Sequence, residues 1–164
     1  MATINQNLSE YNGELVPNGA AFKMAIVRSE WNGDITQNLA NGAESALLEN
    51  GVLASNILKF DVPGAYELPL AAQWIAERND IDAVICIGTV IRGETAHFDF
   101  VCQAVSQGVK DVGLKTGKPV IFGVLTDDNK QQSIDRSGGI HGNKGVEAGV
   151  TALKMIGLKQ VLKG

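Results

Sequence analysis

The segment that most constrains the fold is AVICIGTVI at positions 83–91, which contains no charged residue. A strand that is apolar on both faces must be covered on both sides, which is typical of a central strand in a parallel sheet. A buried strand is also predicted at 22–28 and further strands at 56–62 and 119–125, and a helical pattern follows each strand. This alternation predicts an α/β fold, a three-layer αβα sandwich around a four-stranded parallel sheet.

Four of the five predicted helices carry an apolar stripe on one face. Gly51 is expected to stop the first helix, and Pro69 is expected in the first turn of the second, where its missing N–H does little harm. A short polar helix is predicted around 129–136, followed by a glycine-rich loop and a final helix. The stripes consist of Ile35, Leu39, Ala43, Ala46 and Leu47, then Leu68, Ala71, Ala72 and Ile75, then Phe98, Val101, Cys102, Val105, Val109 and Val112, and finally Val146, Gly149, Val150, Leu153 and Ile156.

A length of 164 residues is enough for one domain with a single hydrophobic core. Residues 1–20 are polar and lack periodicity, so they are predicted to form an arm, with residues 21–164 forming a single α/β domain. Phe98 and Phe100 are two positions apart and therefore face nearly opposite sides of their helix. Either Phe100 is exposed, or a second subunit covers it.

Charge and composition exclude several classes of protein. With 14 basic and 18 acidic residues and no basic stripe, the chain is not expected to bind nucleic acid. Its longest apolar stretch, 83–87, is too short to cross a membrane, and the amino terminus lacks the basic start and apolar core of a secretory signal. Cys86 and Cys102 lack metal-ligand spacing and are predicted to be small buried residues. We therefore expect a cytoplasmic protein without a metal site.

The unusual side chains follow the predicted strands, at the edge where open parallel sheets bind ligands. Trp31 follows the first strand, Tyr66 follows the second, and the third is followed by a segment that contains His97. Either aromatic ring could simply cover the core. Because two such rings would flank one cleft, the pattern predicts a platform for a flat heterocycle.

A phosphate site is predicted beside this platform. Thr95, in the turn Gly93-Glu94-Thr95, could have no role beyond capping the start of the helix. The free N–H groups and the helix dipole at that position, however, favour binding of an anion. Arg136 is the candidate phosphate clamp, because a guanidinium matches phosphate bidentately. His97 could serve only in hydrogen bonding. The helix dipole, however, disfavours its imidazolium form, which would leave a neutral base for proton transfer.

Three longer motifs carry a resemblance to a known family. They are VPGAYELP at 62–69, GTVIRGETAHFD at 88–99 and PVIFGVLT at 119–126, the last followed by Arg136 and by GNKG at 142–145. With these separations, the chain resembles the lumazine synthases from about Phe22 to its end. The resemblance implies a cofactor-independent transferase that condenses 5-amino-6-(D-ribitylamino)uracil with 3,4-dihydroxy-2-butanone 4-phosphate. The products would be 6,7-dimethyl-8-ribityllumazine, phosphate and water, in the penultimate step of riboflavin biosynthesis.

The resemblance also implies roles for individual residues. His97 would transfer protons, supported by Glu147, and the butanone phosphate would be held by Glu94, Thr95 and Arg136. The uracil ring and its ribityl chain would be held by Trp31, Asn32, Ala65, Tyr66, Glu67, Thr89, Val90 and Ile91, together with Phe122 and Lys144 from a neighbouring subunit.

The family's flavodoxin-like subunits form pentamers, and some members pack pentamers into an icosahedral 60-mer capsid. The resemblance therefore implies a homo-oligomer with active sites between subunits, and it allows riboflavin synthase as a partner. Two alternatives stay open at this point. One is a flavin-binding, lumazine-binding or shell-forming relative with weak catalysis, and the other is a flavodoxin-like phosphate-binding domain of other chemistry.

Overall fold

The computed structural model of the chain describes residues 7–163. Its helices and strands alternate as predicted. The elements are β1 (Met24–Ser29), α1 (Gly33–Glu49), β2 (Ile57–Val62), α2 (Leu68–Ala76), β3 (Ala83–Ile91), α3 (His97–Thr116), β4 (Val120–Asp127), α4 (Lys130–Arg136), β5 (Ser137–Gly139), β6 (Gly142–Asn143) and α5 (Lys144–Lys163).

The four longer strands form one parallel sheet in the order β2-β1-β3-β4. Met24 at the start of β1 pairs with Ile57 on one side and with Ala83 on the other. Helices cover both faces of this sheet, so the predicted α/β three-layer sandwich is confirmed and has the flavodoxin-like arrangement. From β1 the chain goes first to β2 on one side, and it then crosses back to form β3 and β4 on the other side of β1. The gap between β1 and β3 is therefore the switch point at which such sheets bind ligands.

The core lies in two layers, one on each face of the sheet. Ile85 and Ile87 of β3 pack with residues of α1 and α5, whereas Val84 and Cys86 of the same strand pack with residues of α2 and α3. Residues 83–87 are fully buried. The predicted central strand is thus confirmed, because both of its faces lose contact with water.

The predicted apolar stripes are buried along the whole of α1 and α2. In α3 and α5 the stripe residues Val101, Cys102 and Val146 are only half-buried, so the prediction that both cysteines are buried is wrong at Cys102. Val101 faces a surface cavity described below, so water reaches one side of it. Phe98 is buried and Phe100 is exposed, which matches the opposite orientation expected of them.

The two cysteines differ in their surroundings. Cys86 is buried as predicted, and the loss of water around its thiol raises its pKa to about 12. Burial also raises the pKa of the half-buried Cys102, with the negative charge of Asp99 adding to this effect. Within residues 7–163 no cluster of His, Cys, Asp and Glu could hold a metal ion, and none of the helices there is long and apolar enough to cross a membrane.

The glycine-rich loop contains structure that the pattern did not predict. Residues 137–139 pair antiparallel with residues 142–143 as the small ribbon β5-β6, and Gly138 and Gly142 both adopt positive φ there. Residues 1–6 of the predicted arm lie outside the described residues. Further along the arm, the Leu8 N–H donates to the His141 carbonyl at 2.8 Å, and the Asn143 N–H donates to Ser9 Oγ at 2.9 Å. The arm therefore contacts the ribbon.

Candidate active site at the carboxyl edge of the sheet

A cavity of about 860 Å³ lies at the carboxyl ends of β1, β2 and β3. The loops that follow these three strands form its walls, and the beginning of α3 closes one side. It is lined by Trp31, Asn32, Gly64, Ala65, Tyr66, Glu67, Thr89, Val90, Ile91, His97, Phe100 and Val101. Nine of the residues assigned to the site in the sequence analysis are among them. The cavity is at the switch point of the sheet, where a ligand site is expected.

The two aromatic rings of the loops are presented to solvent rather than to the core. Trp31 is 74% exposed and Tyr66 is 63% exposed. The loops that carry them are joined, since the Glu30 N–H donates to the Val62 carbonyl at 2.8 Å and the Trp31 N–H donates to the Pro63 carbonyl at 3.3 Å. Neither ring covers the core, and both line the same cavity.

Asn32 directs the chain from β1 into α1. It is the one residue other than glycine with positive φ among those described, with φ 57° and ψ 49°. The left-handed conformation is tolerated by asparagine better than by most side chains. It turns the chain sharply after Trp31, so the indole and the amide of Asn32 both line the cavity.

His97 is the first residue of α3, and its exposed side chain lines the cavity. The structure does not show the alternative role of Thr95 as an N-cap, because the cap position is Ala96 and no side chain caps the helix. The Thr95 hydroxyl instead accepts a long hydrogen bond of 3.4 Å from the His97 N–H. Because the helix has no side-chain cap and this bond is long, the positive end of the helix dipole at the start of α3 can favour a bound anion.

Phe100 is a cavity residue that sequence reasoning did not assign to the site. It follows His97 by three positions on α3, and residues three apart share one face of a helix. The three-residue spacing from His97 was therefore the sequence feature that could have assigned Phe100 to the site. The ring is 69% exposed, so a large apolar surface adjoins His97.

Arg92 was also not singled out, although it connects three elements beside the cavity. Its Nε donates to Asp128 at 2.9 Å and its Nη1 donates to Asp99 at 3.2 Å, while the guanidinium lies 4.1 Å from the centre of the Phe98 ring. The hydrogen bond to Asp128 raises the pKa of Arg92, and the charge of Asp99 adds to this. Two carboxylates thus balance this cation and hold the end of β3 against the start of α3.

Comparison with known proteins identifies the family. The family model described as 6,7-dimethyl-8-ribityllumazine synthase matches residues 21–160. The chain belongs to the lumazine synthase family. A 6,7-dimethyl-8-ribityllumazine synthase of Cytophaga hutchinsonii is 55% identical over 156 residues, covering 95% of this chain and 98% of the relative. Proteins of the same name from two further bacteria are also similar. The one from Flavobacterium johnsoniae is 54% identical and covers 98% of this chain and 84% of the relative. The one from Porphyromonas gingivalis is 50% identical and covers 98% of this chain and 100% of the relative.

Some residues that the lumazine synthase resemblance assigns to the site lie outside the cavity. They are Glu94, Thr95, Phe122, Arg136, Lys144 and Glu147. Glu94 and Thr95 are exposed on the loop directly before His97. Phe122 lines a different groove, of about 570 Å³, which runs along the edge strand β4 between α3 and α5.

Three of the four charged residues among them, all except Glu94, are held by neighbours on their own elements. Lys144 Nζ is 2.6 Å from Glu147 Oε1, and both side chains are partly buried. Arg136 Nη1 donates to the Gln132 carbonyl at 3.0 Å. A single chain of this sequence therefore does not gather all of the assigned site residues around one cavity.

Proposed function

We propose that this chain is a 6,7-dimethyl-8-ribityllumazine synthase. It condenses 5-amino-6-(D-ribitylamino)uracil with 3,4-dihydroxy-2-butanone 4-phosphate and releases phosphate and water, a reaction of riboflavin biosynthesis. The observation that carries the proposal is the cavity, which places an exposed indole, three strand-end loops and His97 together in a chain of this family. The proposed steps need no metal or organic cofactor.

The uracil ring stacks on Trp31 in this proposal. An exposed indole offers an aromatic face at the cavity without first having to leave the core. Asn32 and Glu67 supply polar groups at the ring's edges, beside Ala65 and Tyr66. The ribityl hydroxyls bind along the strand end formed by Thr89, Val90 and Ile91.

The phosphate of the second substrate binds at the loop of Glu94 and Thr95, next to the first turn of α3. The helix dipole favours a negative charge at the start of a helix. Arg136 supplies the positive charge, because the Arg92 guanidinium is already balanced by Asp99 and Asp128. The Glu94 carboxylate turns away from the bound anion.

His97 carries protons between the reacting atoms. The 5-amino group attacks the ketone and forms an imine with loss of water. Phosphate is then eliminated, the ring closes and a further dehydration gives the product. Each of these steps moves a proton, and an exposed imidazole beside the reacting atoms can accept and return one. Holding both substrates in reacting geometry supplies much of the acceleration.

A second copy of the chain completes the site. Phe122, Arg136 and Lys144 do not line the cavity of their own chain, and Phe122 lies in a groove beside an edge strand. These residues reach the cavity of a neighbouring subunit, with Glu147 holding Lys144. The assembly is a pentamer or a pentamer-based 60-mer in the cytoplasm, with riboflavin synthase as a further partner.

Mixing the two substrates with the purified chain tests the proposed function. We expect the absorbance of the lumazine product to rise and inorganic phosphate to appear at the same rate. Tight riboflavin binding with negligible turnover would instead identify a flavin-binding relative. Absence of product with both substrates present would overturn the proposal.

Removing the indole tests the stacking platform. Trp31→Ala is expected to raise KM for the aminouracil substrate about tenfold, because stacking of a base on an aromatic side chain is worth about 1–3 kcal/mol. KM for the phosphate substrate should change little. Trp74→Ala is the matched control, since that indole is also exposed but lies on α2 outside the cavity. If Trp31→Ala and Trp74→Ala raised KM for the aminouracil substrate equally, the proposed stacking of the uracil on Trp31 would be contradicted.

A further inference from the structure

The short helix α4 is attached to the domain by a single buried residue. A helix of seven residues is too short to persist without tertiary contacts. Packed helices normally meet this need with an apolar stripe. In α4, Ser133 is the only buried residue, and the apolar Ile134 is exposed. A polar contact, rather than apolar packing, therefore determines where this helix lies.

That contact is a buried hydrogen-bonded network of three polar side chains. Ser133 Oγ donates to Asp127 Oδ2 at 2.7 Å and lies 3.1 Å from Thr89 Oγ1. A hydroxyl has one proton, which Ser133 gives to Asp127, so Thr89 must donate its own proton to Ser133. All three side chains are buried. These hydrogen bonds tie α4 to β3, through Thr89, and to the end of β4, through Asp127.

Other contacts of α4 lie at both of its ends. At the carboxyl end, the Ser137 hydroxyl donates to the Ile134 carbonyl at 3.3 Å and the His141 N–H donates to the Asp135 carbonyl at 2.9 Å. At the amino end, the Asn129 side chain accepts from the Gln132 N–H at 3.1 Å, and Lys130 pairs with Asp34 at 2.9 Å. Both partners of that ion pair are more than half exposed, and such pairs add little to stability. Ser133 is thus the one residue of α4 whose buried side chain joins the helix to the sheet.

Arg136 is the last residue of α4, and it shares a helix face with Ser133 three positions earlier. Its guanidinium donates to the Gln132 carbonyl of the same helix, so the group moves with α4. We propose that Ser133 and Asp127 are positioning residues, whose hydrogen bond holds α4 so that the Arg136 guanidinium is placed to bind the substrate's phosphate. This inference rests on the proposed function.

Steady-state kinetics of Ser133→Ala tests the inference. KM for 3,4-dihydroxy-2-butanone 4-phosphate should rise about tenfold, because the variant leaves a buried carboxylate without its donor and frees the helix to shift. The kcat should stay within about twofold, and KM for the aminouracil substrate should rise by less than about threefold, because Thr89 loses its acceptor but is only one of three residues proposed to hold the ribityl chain. Asp127→Asn keeps an oxygen that accepts from Ser133, so it should stay much closer to the parent.

Two controls separate positioning from general loss of structure. Ser106→Ala makes the same chemical change at an exposed serine of α3, and Lys130→Ala removes the exposed ion pair of α4. Both should leave each KM unchanged. In an Arg136→Ala background, Ser133→Ala should have no further effect on KM for the phosphate substrate, since its action passes through Arg136.

An unchanged KM, an equal rise of both KM values, or a full effect in the Arg136→Ala background would each overturn the inference. Should circular dichroism show that Ser133→Ala is unfolded, Ser133→Cys, which keeps the volume and weakens the donor, carries the same test. If the parent chain makes no product, the proposed function fails separately. Titration with inorganic phosphate then decides, with about tenfold weaker binding expected for the Ser133 variant and equal binding overturning the positioning role.

Discussion

Arg136→Ala is expected to raise KM for 3,4-dihydroxy-2-butanone 4-phosphate about 100-fold while leaving KM for the aminouracil substrate within about threefold. A guanidinium can make two charge-assisted hydrogen bonds to one phosphate, each worth about 1.5–3 kcal/mol. The uracil has no such group. The substitution therefore weakens binding of the phosphate substrate alone. Initial rates with each substrate varied in turn will measure both KM values.

Arg136→Lys and Arg78→Ala complete this experiment. Lysine keeps the charge but not the planar fork, so Arg136→Lys should lie between the parent and the alanine variant. Arg78 follows α2 and pairs with Asp80, which also pairs with Lys23 just before β1, and none of the three lines the cavity, so Arg78→Ala should behave as the parent. An Arg136→Ala variant with parental KM for the phosphate substrate would remove the guanidinium from the proposed site.

Gly145→Ala is expected to destabilise the fold by about 3 kcal/mol, which is the upper end of the cost of overpacking a closely packed interior. A Cβ at Gly145 would overlap the backbone carbonyl of Leu39 in α1 and would lie 2.9 Å from Asn143 Oδ1. Backbone cannot yield as the end of a flexible side chain does, so α5 would have to move away from α1. Urea unfolding should show a lower midpoint at an unchanged m-value.

Gly113→Ala is the matched control for this prediction. Gly113 also lies within a helix, α3, but the nearest atom to an added Cβ is 3.5 Å away, an ordinary contact. Because alanine favours the helix more than glycine does, this variant should be more stable than the parent by up to about 1 kcal/mol. A loss below about 1 kcal/mol for Gly145→Ala would show that the α1–α5 contact adapts.

The close approach of α1 and α5 was not evident from the pattern of the final helix. The predicted stripe contained Val146, which is half-buried, and omitted Ala148 and Ala152, which are buried. Gly149 shows the reason, because its added Cβ would lie 2.9 Å from the Ala43 carbonyl. Where two helix backbones are this close, small residues are buried on both sides, and a search for large apolar residues misses them.

The sequence by itself determined the elements and the edge at which the cavity lies. Residues 83–91 form β3 within the predicted bounds, because a run of apolar side chains can avoid water only by being covered on both faces. Trp31, Tyr66 and His97 line one cavity because the ends of parallel strands lie at the same edge of a sheet. These conclusions depend on periodicity and on strand direction, which are properties of short segments.

Only the tertiary structure decided how distant segments meet. The strand order puts β4 at an edge, so Phe122 faces a separate groove although β4 was correctly predicted. The contacts of Arg92 with Asp128, and of Ser133 with Asp127 and Thr89, join loops and strands whose separation in space no local pattern encodes. Burial of a polar group needs a partner, and which partner is available depends on the whole arrangement of the chain.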